Sequence, residues 1–306
     1  MIGLATTYFQ QYITNFINSS KLLAKHYEPP VNATQYKTWF NAVTSLESFN
    51  KTMRDARQLA LFGAFFDIGL KLAAFRQFNS GWQSNFGGFE YSYYRKIPTI
   101  FGSFLVTSPF AVAGDMVLRA YHADRTFPRD LQKGYTSYFN AFRRIPFEEG
   151  PYYLFRNTLP LYIKHTLLPF TSFYSYDWLV DKLSVIWRTT DNPIAPVKIF
   201  CAGLATYLGA VFSYPFVHAA RDMVDFWPKK DGVDPWKGNY RKAISSLWYG
   251  PTWNIGFAGL FHRYFWHVFP LHFTTLLLAD QFGMFSYWRV DIMSGAGDNT
   301  AEDSYI

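Results

Sequence analysis

Two stretches of the chain are apolar for long enough to read as spanning helices. Ile97 to Leu118 carries a single acid, Asp115, near its end, and Ile194 to Ala220 is similar, with Gly203 and Gly209 as small packing positions. As helices both reach across ~30 Å of hydrocarbon. Leu159 to Leu179 and Gly259 to Leu278 predict two aromatic-rich helices. Ala56 to Phe75 predicts a shorter one, interrupted by Asp67 and Lys71. Ile2 to Leu23 is the least apolar candidate, because Gln10, Gln11, Asn15 and Asn18 fall inside it. Hydropathy alone passes over this segment, and only repetition along the chain asks for a helix there.

That repetition is legible. Tyr36-x-x-Trp39-Phe40-Asn41-Ala42 recurs as Tyr135-x-x-Tyr138-Phe139-Asn140-Ala141, and Ser108-Pro109-Phe110 recurs as Tyr214-Pro215-Phe216. Lys133-Gly134 returns as Lys237-Gly238, and Phe66-Asp67 as Tyr176-Asp177. The units predicted are residues 1–80, 81–185 and 186–285, followed by a tail over 286–306 that carries Asp291, Asp298, Glu302 and Asp303. A period of about 100 residues is too long for a soluble solenoid turn and suits two spanning helices joined by a loop with its own short helix. The fold class expected is therefore an all-α membrane protein, with six transmembrane helices in three pseudo-repeats.

Composition supports the membrane. Charged residues make up 17% of the chain, against about 25% in soluble domains. Aromatics make up 21%, with 32 Phe, 22 Tyr and 10 Trp, and Tyr and Trp favour the membrane interface. Mean hydropathy is only −0.07, so the helices carry polar faces as well. The net charge of +7 comes from scattered Lys and Arg without a basic run, which excludes a nucleic-acid partner. The lone cysteine, Cys201, excludes a disulfide framework. The loops following the first helix of each unit all carry more Lys and Arg than Asp and Glu, and so lie on one positive side. Trp82, Tyr91, Tyr93 and Tyr94, between units one and two, read either as an interfacial belt or as a docking surface for another subunit.

No phosphate-binding loop, metalloprotease or nucleophile-elbow motif is present, and no nucleophile–base pair is readable, so no enzyme and no cofactor are expected. His262, His267 and His272 recur every fifth residue, which turns them about 140° apart on a helix, and no shared metal is expected there.

Three groups of residues carry a family resemblance. Ala202-Gly203-Leu204-Ala205 is followed by Ser213-Tyr214-Pro215-Phe216. Lys133-Gly134 is followed by Glu149-Gly150 and Leu154-Phe155-Arg156. Tyr176-Asp177 opens an aromatic–acid motif. Together these resemble the mitochondrial carrier family, closest in motif to sequences like the ADP/ATP and oxoglutarate carriers. By topology the resemblance covers the whole chain; by motif it is strong from about residue 100 to 265. It implies the mitochondrial inner membrane, multiple passes, the positive loops and short helices in the matrix, and both termini toward the intermembrane space. It also implies membrane lipid as a partner, with cardiolipin at the matrix-side helix ends.

The departures bear on mechanism. In the family a proline, an acid and a base end each odd-numbered helix, and pairs between repeats close the matrix side. Here Pro109 and Pro215 remain, but the acid positions hold Asn18, Ala111 and Val217, and the base positions hold Lys21, Gly114 and Ala220. On the intermembrane side, Phe66-Asp67 and Tyr176-Asp177 lack the base of their motif at Leu70 and Val180. Lys164 follows Pro160 by four residues, where the family usually places a cavity-facing arginine. On the residues alone it also reads as a cation reaching to the interface. His165 is its neighbour, and His267 with Arg263 occupies the corresponding place on the last helix. If transport is retained, Lys164, His165, Arg263 and His267 are the expected substrate contacts. The function expected is a carrier-fold protein that has lost transport and acts as a structural accessory subunit of a large inner-membrane assembly such as a respiratory-chain complex. The alternative is a divergent carrier exchanging an anionic metabolite or nucleotide.

Overall fold

The structure is a computed structural model, and it describes residues 2–24, 40–44, 49–50, 53, 61–86, 93–126, 132–186, 195–223 and 261–285. The principal helices are α1 (Ile2–Ala24), α2 (Leu70–Phe86), α3 (Tyr93–Thr126), α4 (Tyr138–Glu148), α5 (Leu159–Ile186), α6 (Ala195–Met223) and α7 (Phe261–Gln281). A π-helical segment, Ala64–Gly69, leads into α2, and a 3-10 turn, Pro151–Phe155, links α4 to α5. Among the described residues the chain is all-helical, with no strand. Two helices are long and apolar enough to cross a membrane, over Ile97–Tyr121 in α3 and Ala195–Ala220 in α6. The boundary expected at residue 80 falls inside α2. The acidic tail, the motifs at Tyr36 and Lys237, and Tyr91 lie outside the described residues, as do the side chains of Trp82, Tyr93 and Tyr94.

α1 forms despite its polar content because its polarity is turned inward. Thr6, Thr7 and Gln10 are buried at helical spacing, while Leu4, Tyr8 and Phe9 are exposed on the other face. The threonine hydroxyls donate back to the carbonyls of Ile2 and Gly3. The Gln10 amide donates to the carbonyl of His267 on α7 at 2.9 Å, tying the first long helix to the last. Other large apolar side chains also point outward, among them Val106, Phe110, Phe200, Phe212 and Trp266.

Pro109 sits in mid-helix, where it cannot donate to the carbonyl of Leu105. The Tyr162 hydroxyl on α5 donates to that carbonyl instead, at 2.9 Å. Next to it, the Ser108 hydroxyl meets that of Thr166 at 2.7 Å. The backbone disruption thus becomes a cross-link between α3 and α5.

Aromatic clusters fill the two ends of the bundle. At the end holding the N-terminal halves of α3 and α6, Phe75, Phe104, Phe173, Tyr176 and Phe285 pack together. At the opposite end, α4 lays Tyr138, Ala141 and Ile145 against Val117 and Tyr121 of α3. The Lys-Gly and Glu-Gly dipeptides flank α4, and both glycines, Gly134 (φ 68°) and Gly150 (φ 85°), adopt left-handed backbone. Around Gly134, the Asp124 carboxylate accepts the backbone N–H groups of Lys133 and Tyr135. The Lys133 ammonium pairs with Glu149, bringing the two dipeptides together.

At the end away from α4, Lys198 of α6 pairs with Asp280 of α7 at 2.7 Å, and the Asp280 side chain is buried. Asp280→Ala is expected to lower stability by on the order of 2 kcal/mol, the typical loss for a hydrogen bond to a charged group. Thermal unfolding of the detergent-solubilised chain measures it, and an unchanged melting temperature contradicts it.

Candidate functional site

A cavity of about 810 Å³ lies between the long helices. Its α1 wall is uncharged and hydrogen-bonding, built from Thr7, Gln10, Gln11, Thr14 and Asn15. The facing walls bring charge: Asp67 and Lys71 from the π-helical segment and α2, Asp115 and Arg119 from α3, and Lys164 and His165 from α5. Val217 of α6 and His267 and His272 of α7 complete the lining. Ile68 and Leu271 also belong to the aromatic cluster at the end away from α4, which forms the floor.

Asp115 is the hub of the charged wall. It accepts from Arg119 Nε at 3.2 Å, from Lys164 Nζ at 3.0 Å and from His165 Nε2 at 3.1 Å. His165 Nδ1 lies 3.8 Å from Asp67, which is itself paired with Lys71. One network thus joins the second, third and fifth helical walls. Its two carboxylates, Asp67 and Asp115, face three basic side chains, Lys71, Arg119 and Lys164. Lys71 and His165 are buried, with side chains 4% and 9% exposed. Ionisable groups withdrawn from water in this way persist only when paired. Asp67 stands on a π-helical turn, a distortion that recurs at functional sites.

Gly114, where the sequence resemblance led to the expectation of a base, is covered by aromatic side chains. The Tyr138 hydroxyl donates to its carbonyl at 2.6 Å. The Phe62 ring lies so close that a Cβ on Gly114 would stand 2.7 Å from its edge. Phe62 also stacks on Phe66 and meets Tyr138 and Phe142 edge-on, with centroids 4.3, 4.5 and 5.2 Å away. An aromatic lock therefore spans from the helix that carries Phe62 to α3 and α4. Gly114→Ala forces the ring to shift and is expected to cost about 1–2 kcal/mol, read as a lower melting temperature that the double variant with Phe62→Leu partly restores.

The residues singled out from the sequence separate into groups. Lys164, His165 and His267 line the cavity, with Ala111, Gly114 and Val217 at its walls. Lys164 is not reaching out to an interface but is held against Asp115. Ala220 is buried in the α4-end cluster, and Pro109 and Pro215 lie within α3 and α6. Phe66 and Asp67 belong to the site. Tyr176 and Asp177 do not; they are buried toward the opposite end, Tyr176 against Phe285. The side chains of Asn18, Lys21 and Arg263 lie outside the described residues.

Asp115, Arg119, Lys71, His272 and the α1 amides join the site without having been expected there. The signal was present in part: Asp115–Arg119 and Asp67–Lys71 are both four residues apart, and an acid inside an apolar span marks an interior-facing position. His272 Nδ1 has no hydrogen-bond partner among the described residues. Among the described residues no three metal-ligating side chains converge. No protein-family model matches the chain, and no curated protein matches it.

Proposed function

We propose that this chain is a multi-pass protein of the mitochondrial inner membrane, with the carrier architecture of three helical-hairpin repeats. In this reading it has left the transport cycle and serves as a structural accessory subunit of a large inner-membrane assembly such as a respiratory-chain complex. Its termini face the intermembrane space and α4 faces the matrix. The inside-out polarity of α1 and the outward Phe, Val and Trp of α3, α6 and α7 support a lipid-facing exterior. The observation that carries the loss of transport is the aromatic lock at Gly114. Alternating access requires contacts that break and form between two states of similar energy. An ion pair at a gate hydrates when it opens. Phe62 packed onto a glycine, with Tyr138 bonded to that glycine's carbonyl, has no comparable hydrated alternative. The cavity cations are also engaged by Asp67 and Asp115 rather than held ready for a solute.

A second reading, a divergent carrier for an anionic metabolite or nucleotide, is favoured by the cavity itself, which is roomy and carries Lys164, His165 and His267 at its wall. Reconstitution in liposomes with a panel of nucleotides and carboxylates separates the two. The structural reading expects exchange at the level of empty liposomes, together with co-purification of the chain with its assembly through stringent detergent washing. Reproducible, inhibitor-sensitive exchange of any panel member overturns it in favour of the carrier.

A further inference from the structure

The short helix α4 carries a second surface that the cavity does not use. Its inner side, formed by Tyr138, Ala141 and Ile145, faces the end of the bundle, and Tyr138 reaches the cavity. At 100° per residue the opposite pole falls on Phe147, nine positions after Tyr138, with Arg143 beside it. Phe147 is 85% exposed, and Tyr152, in the 3-10 turn that follows, is 77% exposed. Large rings presented this fully, five positions apart in the chain, are the informative kind of exposure.

Charge sharpens the picture. The two acids at this end of α4 are already committed, Glu148 to Arg144 and Glu149 to Lys133. Arg143 is exposed and has no ionic partner among the described residues. The surface therefore offers apolar rings around one available guanidinium. It is also stiff. Pro146 precedes Phe147, the Glu149 N–H closes the last turn on Ile145, and Gly150-Pro151 begins the next turn. A group fixed in this way loses little conformational entropy on binding.

We propose that the outer pole of α4, built on Arg143, Phe147 and Tyr152, docks a neighbouring subunit through a segment in which a carboxylate is flanked by apolar side chains. The proposal rests on the structural-subunit reading and deepens it. If the bundle crosses the bilayer, α4 caps its end with the inner side toward the membrane, so the outer pole faces the aqueous compartment, beyond the reach of lipid tails. A protein surface is then what removes the rings from water, and its acid answers Arg143.

The test places the photo-reactive residue benzoylphenylalanine at position 147 of the full chain in its native membranes. A matching control at 106, where Val106 faces outward on α3, reports lipid. The result expected is a cross-link from 147 to one subunit, mapped by peptide sequencing to a segment with Asp or Glu among apolar residues. Adding Arg143→Glu should reduce its yield at least about tenfold at unchanged melting temperature, the scale of one lost charged hydrogen bond. Cross-links from 147 only to lipid, only to a second copy of this chain, or with a yield indifferent to Arg143→Glu overturn the proposal. Co-purification keeps the two readings apart. A chain that stays with the assembly but gives no cross-link at 147 refutes this surface alone, whereas a chain that washes free and exchanges solute in liposomes refutes the structural reading beneath it.

Discussion

Asp115→Ala is expected to destabilise the purified chain by about 3–5 kcal/mol, the range for removing one partner from a buried ionic group. The carboxylate accepts from Arg119, Lys164 and His165 at once. Its loss strands Lys164, whose side chain is only 16% exposed, and removes one of the links between α3 and α5. The expected damage comes from the orphaned cation more than from the vanished attraction. The double variant Asp115→Ala/Lys164→Met should therefore recover most of the loss, because replacing a buried pair by apolar groups of similar size is often neutral. Lys164→Met alone should be the milder single variant, since Arg119 and His165 still answer the carboxylate. A double-mutant cycle followed by thermal or denaturant unfolding in detergent measures the coupling. If the two single losses simply add, the network is not energetically connected.

Gly209→Val should be nearly as severe, at about 3 kcal/mol, the upper end for overpacking. A Cβ at Gly209 would stand 2.1 Å from Ser172 Oγ and 2.9 Å from the backbone carbonyl oxygen of Leu168. The hydroxyl can turn away, but the carbonyl belongs to α5 and cannot, so the two helices must separate. Ser172→Gly in the same chain should recover only part of the loss for that reason. Gly203 supplies the control on the same helix: a Cβ there meets nothing within 4 Å. Gly203→Ala should be neutral or stabilising by up to about 1 kcal/mol, through helix propensity alone. Equal losses at Gly203 and Gly209 would show that the contact between α5 and α6 is not what limits them.

The helices were legible from runs of apolar residues, and α3, α5, α6 and α7 begin and end near where hydropathy changes. α1 was legible only through repetition, for a physical reason. Its glutamines and asparagine point into the cavity and its apolar residues point out, so a scale that averages around the helix sees neither face. The recurring Lys-Gly dipeptide and the single Glu-Gly that follows it marked real backbone requirements, since both glycines sit where a side chain would be strained. The charged wall was half legible. The four-residue spacing of Asp67 with Lys71 and of Asp115 with Arg119 carried a signal that was not used. Nothing in one strand of sequence says that Lys164 and His165 arrive opposite Asp115, because that pairing depends on how α3 and α5 are rotated against each other. The π-helical turn under Asp67 was equally hidden, since it has no distinctive composition. The aromatic lock at Gly114 was not visible in the sequence: the resemblance marked only an expected base as absent there, and not that Phe62 and Tyr138 fill the space.

The bond from Gln10 to the carbonyl of His267 spans 257 positions, and this sets an order of events during synthesis. α1 is made before α7, yet α7 supplies the main-chain acceptor for the Gln10 amide. Until α7 is made the Gln10 amide lacks that acceptor, whereas the Thr6 and Thr7 hydroxyls are already answered within α1. Closure of the helical ring is thus a late step with a long loop to draw in. A chain cut before α7 should be cleared by quality control rather than persist as a shorter bundle.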